Sequence, residues 1–429
     1  MYRTPGIYRE EIVTAPEPKL QTGIPAFLGL TDDRTPVSVN EPVRLVRGAE
    51  FEVQFGRSLE NGYLADAVRG FFANSSRPCY AVRLRDLSRE SLEAGLDSLE
   101  AIADLDLVGV PDLAIALVSS LDRVQNAIDN TDPDFQIQRL TQEALALERE
   151  VVRWQQLILD RCGTSGDRFA ILDSLPRPRL LAALFEATDA DSFSSQELRQ
   201  RLQNADPLQP LLAQRRQLRG ANGAVYGAWL DVGKRGNGGQ TMWVPPCGHL
   251  AGVYARSDDR FGVHKAPANE EIEGAVDVEV DFTVRQSDRL NSENVNALRS
   301  LPGRGIRIWG ARTLSRDANW TYVNVRRLFL TVGRWAERNL ATMVFEPHDG
   351  RLWNRVRREL SGYLNGLFQQ GALKGSSAQE AFFVRCDART NPPEVRDAGN
   401  LVVEVGLAPL RPSEFIIVRL VRSESGLDF

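Results

Sequence analysis

The chain has 429 residues, 42% of them hydrophobic and 25% charged, with a net charge of −5. That length buries one large core or two to three ordinary ones, and the acidic balance argues against polyanion binding by the molecule as a whole. No run of about 18 apolar residues occurs, so no membrane span is expected, and the start, Met1-Tyr2-Arg3-Thr4-Pro5-Gly6, lacks the apolar stretch of a signal peptide.

Residues 1–25 read as an arm. Ile7 to Val13 alternate apolar and charged side chains as an extended strand does, and Pro16, Pro18 and Gly23 then interrupt regular structure. Such a segment is either a disordered tail or a strand completed by something else, such as a neighbouring subunit. From Ile24 the pattern becomes globular. A buried strand is predicted over Pro25–Leu30, a helix over Leu64–Asn74, a strand over Cys79–Leu84, a helix over Ser91–Ala103 and a strand over Leu107–Val110, ended by Pro111. Further strands follow at Phe169–Leu172 and Ala224–Leu230. Strands alternating with helices predict an α/β fold with a substantially parallel sheet.

Ser119 to Cys162 is helical throughout. Leu140, Ala144, Leu147, Val151, Trp154 and Ile158 recur at heptad spacing, which fits packing within the chain or a docking seam for another protein. Asp132 and Pro133 read as N-cap and first helical residue, and Ser194 with Glu197 has capping-box spacing. Residues 113–160 and 177–222 are expected as helical insertions decorating a discontinuous α/β core of residues 26–112 and 161–300. Gly236-Asn237-Gly238-Gly239 reads as a surface hairpin, since it lacks the following Lys-Ser/Thr of a phosphate cradle.

Little in the sequence points to chemistry. Cys79, Cys162, Cys247 and Cys386 form no CxxC pair, and Cys247-Gly248-His249 offers two donors where zinc needs three or four. Nucleophile elbows, Walker loops, dinucleotide fingerprints and HExxH are all absent. Asp258-Asp259 and Glu270-Glu271 are expected as solvated loop charges. No catalytic residue, cofactor or metal is assigned.

Towards the end, Gly303–Leu314 reads as a Gly-punctuated strand and loop. The aromatic and basic run Trp320–Leu328 follows, and a helix is predicted from about Val332. Residues 351–369 form an amphipathic helix with Leu352, Val356, Leu360, Tyr363 and Leu367 on one stripe, and Arg351, Arg355 and Arg358 nearly opposite. That arginine row is either a solvated face or a ridge that docks on an acidic partner. Nucleic acid is not expected there, because no aromatic side chains interleave the arginines. Glu414–Val418 is apolar on both faces, as in a strand covered on both sides, and Ser423–Phe429 is a short tail that stays disordered or joins a neighbour's sheet.

Several motifs, taken in order, carry a resemblance. They are Pro5-Gly6-Ile7-Tyr8, Val110-Pro111-Asp112, Asp167–Asp173, Val244-Pro245-Pro246 with Gly248–Arg256, Lys265–Asn269, Gly303–Leu314, Tyr322–Leu328, Val344-Phe345-Glu346-Pro347, Ala381–Asp387 and Pro412–Phe415. Together they resemble the tail sheath subunits of contractile phage tails and related contractile injection systems. The helical stretch near 113–155 is longer than in simpler sheaths, and Cys247 stands where a small hydroxyl residue is common.

The resemblance implies an α/β, multi-domain, non-enzymatic subunit with helical insertions, an α+β C-terminal domain at 301–412 and extended arms at 1–25 and 413–429. It implies six-membered rings stacked helically around an inner tube protein, with baseplate and tail terminator proteins as further partners. It implies assembly in the cytoplasm of the producing cell as part of a phage tail or a released tail-like particle. In such sheaths the arms add strands to sheets of adjacent subunits. Ile7, Tyr8, Ile12, Val13, Phe415, Ile417 and Leu420 then become the strand-exchange residues, and Arg351, Arg355 and Arg358 the tube contact. Competing readings are a tube-, terminator- or baseplate-like component, a hydrolase with an unrecognised site, and a monomeric adhesin.

Overall fold

The computed structural model describes residues 20–188, 193–234 and 241–412. The expected arm strand, the Gly236–Gly239 hairpin and the final strand at 414–422 lie outside them. So do Ile7, Tyr8, Ile12, Val13, Phe415, Ile417 and Leu420.

In chain order the strands are β1 (Pro25–Gly29), β2 (Pro42–Leu45), β3 (Cys79–Arg83), β4 (Leu107–Gly109), β5 (Phe169–Asp173), β6 (Gly223–Gly227) and β7 (Leu230–Lys234). Then come β8 (Thr241–Val244), β9 (Asp277–Val278), β10 (Asn296–Leu301), β11 (Gly305–Trp309), β12 (Phe382–Arg385) and β13 (Glu404–Leu407). Eight of them form one sheet in the order β11-β10-β6-β5-β4-β1-β3-β2. Its interior pairs are parallel, and each edge carries an antiparallel strand, β2 on β3 and β11 on β10. The α/β expectation holds. The single strand expected over Ala224–Leu230 is two: β6 ends at Gly227, and β7 belongs to a separate antiparallel sheet, β8-β7-β9.

Because side chains alternate along a strand, each central strand feeds two cores. Ala26, Leu28, Ala170, Leu172 and Val225 face one apolar cluster. Phe27, Phe169, Ile171, Ala224 and Tyr226 face the other. Helix α1 (Glu50–Phe55) brings Phe51 and Phe55 to the second cluster, as α2 (Leu64–Asn74) brings Val68 and Phe71. Helix α3 (Arg89–Asp97) caps the first. It stops at Ser98 rather than at the expected Ala103, because the chain turns there and delivers Leu99 to the core.

The segments expected as decorations are the crossovers of the sheet. Parallel neighbours must be joined by a long crossover connection. Helices α4 (Ile115–Asp129) and α5 (Asp134–Ser165) join β4 to β5. Helices α6 (Pro178–Thr188), α7 (Ser195–Asn204) and α8 (Leu208–Gln217) join β5 to β6. Leu117, Leu121 and Val124 of α4, with Leu140, Ala144, Val151 and Ile158 of α5, are buried in the first core, so the heptad seam packs within the chain. Pro133, not Asp132, is the N-cap of α5; the Asp132 carboxylate accepts from Gln136 Nε2 at 2.9 Å instead. The capping box of Ser194 and Glu197 forms as expected at the start of α7.

On the other face lies α9 (Cys247–Phe261), pressed against α2. A Cβ added at Gly248 would fall 2.3 Å from Ala67 Cα, so only glycine permits this approach. Beyond the sheet lie α10 (Val284–Ser292), α11 (Val323–Leu340), α12 (Gly350–Gln369) and the short α13 (Ala378–Ala381) and α14 (Pro393–Asp397). Helix α11 begins nine residues before the expected Val332. Its buried residues mix Val323, Val325, Leu328, Leu330 and Val332 with Asn324, Arg327, Thr331 and Arg334, so the aromatic and basic run at its start belongs to the helix.

Candidate functional site

The polar face of α11 makes the densest buried charge cluster among the described residues. Arg327 Nη1 and Nη2 donate to the Asp258 carboxylate at 3.0 and 2.6 Å, and Nη2 also reaches Asp106 Oδ2 at 3.0 Å. The three side chains are 2%, 1% and 7% exposed. Burial works against the Arg327 charge, but Asp258 and Asp106 outweigh it and hold the guanidinium above its ordinary range. Arg334 Nη1 lies 3.9 Å from Asp106 Oδ2. Tyr254 underlies Arg327 at 5.0 Å from its ring centre, and its hydroxyl hydrogen-bonds Tyr226.

This corrects the reading of Asp258-Asp259 as solvated loop charges. Both sit on α9, one buried against Arg327 and the other paired with Arg77. Glu270 and Glu271 engage Lys265 at 2.5 Å and Arg307 at 3.7 Å. Neither doublet brings two carboxylates together over a cleft.

Three further carboxyls lie near the C-terminal ends of the parallel strands and hold loops. Asp112 accepts from Leu30 N at 2.6 Å and Tyr63 N at 2.5 Å, and Asp173 accepts from Cys247 N at 2.7 Å. Glu279 accepts from Arg177 N at 2.8 Å. Burial pushes each of the three up to about 7. Cys247 and His249 do not converge on a common point. His249 packs against Gly70 and Gly274, and burial depresses it to about 4. Among the described residues no group of three or more His, Cys, Asp or Glu is placed to hold a metal, and no helix is long and apolar enough to cross a membrane.

The C-terminal surface is of another kind. Helix α12 is capped by Asp349, whose carboxylate accepts from Arg351 N and Leu352 N at 2.8 and 3.1 Å. It buries Leu352, Val356, Leu360, Leu364 and Leu367. Leu364 takes the place expected for Tyr363, which instead stacks on Trp335 with ring centres 4.3 Å apart. Arg351 and Arg358 are exposed, whereas Arg355 is tied to Glu346 at 2.6 Å and to Glu359 at 3.6 Å. The structure thus places all three arginines on the helix face away from the apolar stripe, with Arg355 in ion pairs and Arg351 beside the Asp349 carboxylate that caps the helix.

Beside α12 lies a two-stranded antiparallel ribbon in which Phe382 pairs with Leu407 and Arg385 with Glu404. Phe382, Val384, Val405 and Leu407 lean on α12 and its neighbours, whereas Phe383 is 53% exposed beneath the Arg385 guanidinium. Among the described residues no third strand joins it. The sequence carried a signal in Phe382-Phe383-Val384, but nothing in that run marks a ribbon with open edges.

The roots of both termini are pinned. Gly23 N and Ile24 N donate to Asp106 at 3.0 and 2.7 Å, and Arg77 donates to the Thr22 carbonyl. At the other end Lys374 N donates to Ala408 O at 2.7 Å, and Asn324 Nδ2 to Leu410 O at 3.1 Å.

Comparison with known proteins places this geometry. Residues 212–314 match the family model of the phage tail sheath protein central domain, and residues 315–422 that of the phage tail sheath C-terminal domain. The chain is 27% identical over 191 residues to the tail sheath protein of Enterobacteria phage T4, covering 44% of this chain and 28% of that protein, so it spans little more than a quarter of that relative's length. A chain of the helical sheath of the anti-feeding prophage in its contracted state superposes with a TM-score of 0.68 at 27% identity, covering 99% of this chain and 100% of that one. A chain of the contracted sheath complex of PVC, an extracellular contractile injection system, superposes with a TM-score of 0.64 at 26% identity, covering 99% of each.

Proposed function

The chain belongs to the contractile tail sheath family, and from that premise we propose that it is a non-enzymatic subunit that polymerises as stacked six-membered rings around an inner tube. Contraction of that lattice drives the tube through a target envelope. The observation that carries this reading is that the likeness to sheath chains runs the whole length of the molecule rather than through one module.

The physics agrees with a passive subunit. Work must come from contacts that differ between two lattice states. Each copy need supply only a few kcal/mol, because a lattice sums many copies. The two-stranded ribbon beside α12 supports strand addition: an isolated pair of strands is marginal, and open edges recruit partners. Arms from sister copies, through Ile7, Tyr8, Ile12 and Val13 and through Phe415, Ile417 and Leu420, are the strands this reading assigns to such edges. Arg351 and Arg358, with Arg355 between them, are its tube contact. Baseplate and terminator proteins would close the ends of the lattice, in a phage tail or a tail-like particle assembled in the producing cell.

The test is co-production of the chain with the tube protein of the same tail or injection particle, followed by electron microscopy. Long tubular sheaths of repeating rings are expected. A population of discrete subunits that never polymerises, with the tube protein present and folded, would overturn the reading.

A further inference from the structure

The two pinned roots meet on one turn of one helix. Asp106, which receives the Gly23 and Ile24 amides, is held by Arg327 at 3.0 Å. Asn324, which donates to the Leu410 carbonyl at 3.1 Å and to the His264 carbonyl at 2.7 Å, lies three residues earlier on α11 and therefore on the same face. The N-terminal root is also seated without slack. Gly23 has φ +76°, and a Cβ there would lie 2.6 Å from Ala255 Cα, so the backbone rests directly on α9. Arg77 bridges the same point, donating to the Thr22 carbonyl and, through Nε, to Asp259 at 2.8 Å. The C-terminal root is fixed a second time by Lys374 N on Ala408 O at 2.7 Å.

We propose that α11 is the tension junction of the subunit, passing load between the two terminal arms through Asp106, Arg327 and Asn324 so that the strands of the parallel sheet do not bear it alone. The inference rests on the reading that the arms link neighbouring copies, and it adds where their load goes. Without the clamp, a pull on Thr22 would act on β1, which begins at Pro25 in the middle of the eight-stranded sheet. With it, the pull is shared between the strand ends and a buried ion cluster, because Asp106 directly precedes β4, is backbone-bonded to Ile24 and Phe169, and is held by Arg327. A desolvated, doubly paired guanidinium resists separation because each partner left behind is an uncompensated buried charge. Asn324 and Arg327 are positioning residues in this scheme, holding the roots and touching no partner themselves.

The experiment is single-molecule pulling on the full chain, with handles at its two ends and the load held constant. Asn324→Ala removes the hydrogen bonds to the Leu410 and His264 carbonyls and is expected to raise the rate of first rupture about tenfold. Arg327→Gln is expected to raise it further. Leu121→Ala, in the crossover layer away from α11, is the control: it lowers stability in denaturant but leaves the rate of first rupture unchanged. An Asn324→Ala chain that ruptures like the parent, or a Leu121→Ala chain that ruptures as fast as Asn324→Ala, overturns the junction. Pulling does not require polymerisation. Absent sheaths with an intact mechanical effect therefore refute the sheath reading alone, and normal sheaths without the effect refute the junction alone.

Discussion

The eight-stranded sheet and the two-stranded ribbon are finished to different degrees. Every residue of β1, β5 and β6 is buried, with helices on both faces and antiparallel strands at both edges. Strand β12 alternates half-buried and exposed residues, and among the described residues it has β13 as its one partner. One region satisfies its backbone and side chains internally; the other leaves edges and an aromatic side chain open. If the open ribbon serves assembly, as proposed, folding and assembly lie in different parts of the chain and each can be damaged without the other.

Deleting residues 1–20 is the sharpest way to break that division. The deletion stops short of the Gly23–Asp106 clamp and of β1. The truncated chain is expected to unfold in urea like the parent yet to form no sheaths with the tube protein by electron microscopy. Sheaths of normal length from the truncated chain would show that the N-terminal arm is not what joins the copies.

The opposite lesion lies in the crossover layer. Leu121 is fully buried on α4, and Leu121→Ala is expected to cost about 2–5 kcal/mol in chemical denaturation. Without denaturant the variant should remain mostly folded and should still assemble. A cost below about 1 kcal/mol would mean that this layer is loosely packed after all.

How far the sequence foretold this contrast depended on whether burial was apolar. Helix α2 runs over Leu64–Asn74 as expected, and β1, β3 and β5 fall within a residue of expectation, because each is an apolar run between clear breakers. Helix α11 starts nine residues earlier than expected: its first turns bury Val323, Val325 and Leu328 together with Asn324 and Arg327, and periodicity reads the polar members of that mixed face as surface. The same blindness hid Asp258, since only the fold brings Arg327 to it across 69 residues. The crossover helices were legible as helices but not as part of the sheet's cover. Their seam says that something packs there, not what. Of the candidate site, Arg351 and Arg358 were legible as an exposed row, while the ion pairs of Arg355 and the open ribbon were not.

A smaller effect, in pH, sharpens the comparison because it belongs to the core alone. Asp112, Asp173 and Glu279 sit near 7 in the fold, raised by burial from ordinary carboxyl values of 3.8 and 4.5. For an acid so raised, the stabilising contribution is complete below its unfolded value and is lost as pH climbs through 7. His249 acts oppositely. Depressed to about 4 from 6.5, it favours the fold above 6.5 and ceases to as pH falls towards 4. Burial depresses His264 as well, but over this interval the three carboxyls outweigh the two histidines, so the urea midpoint of the subunit is expected to rise on going from about pH 8 to about pH 6. A flat or falling midpoint over that interval would mean that these carboxyls are not protonated in the folded core.

The smallest effect on the molecule itself is expected at the arginine row of α12, and there the choice of variant decides what is learned. Reversing all three charges would place a carboxylate at position 355 against Glu346 and Glu359, both of which now pair with Arg355. Any loss of assembly could then come from a distorted helix start. Arg351→Glu with Arg358→Glu leaves that pair intact and alters only exposed side chains, for which stability should move by less than about 1 kcal/mol. If these two arginines meet an acidic tube, the double variant folds normally, still joins its sister copies through the arms, and yields less tube-bound sheath, with the deficit deepening as salt is lowered and like charges repel over a longer range. An unchanged yield at low salt would assign the row to solvent and move the search for the tube contact to the rest of the C-terminal surface.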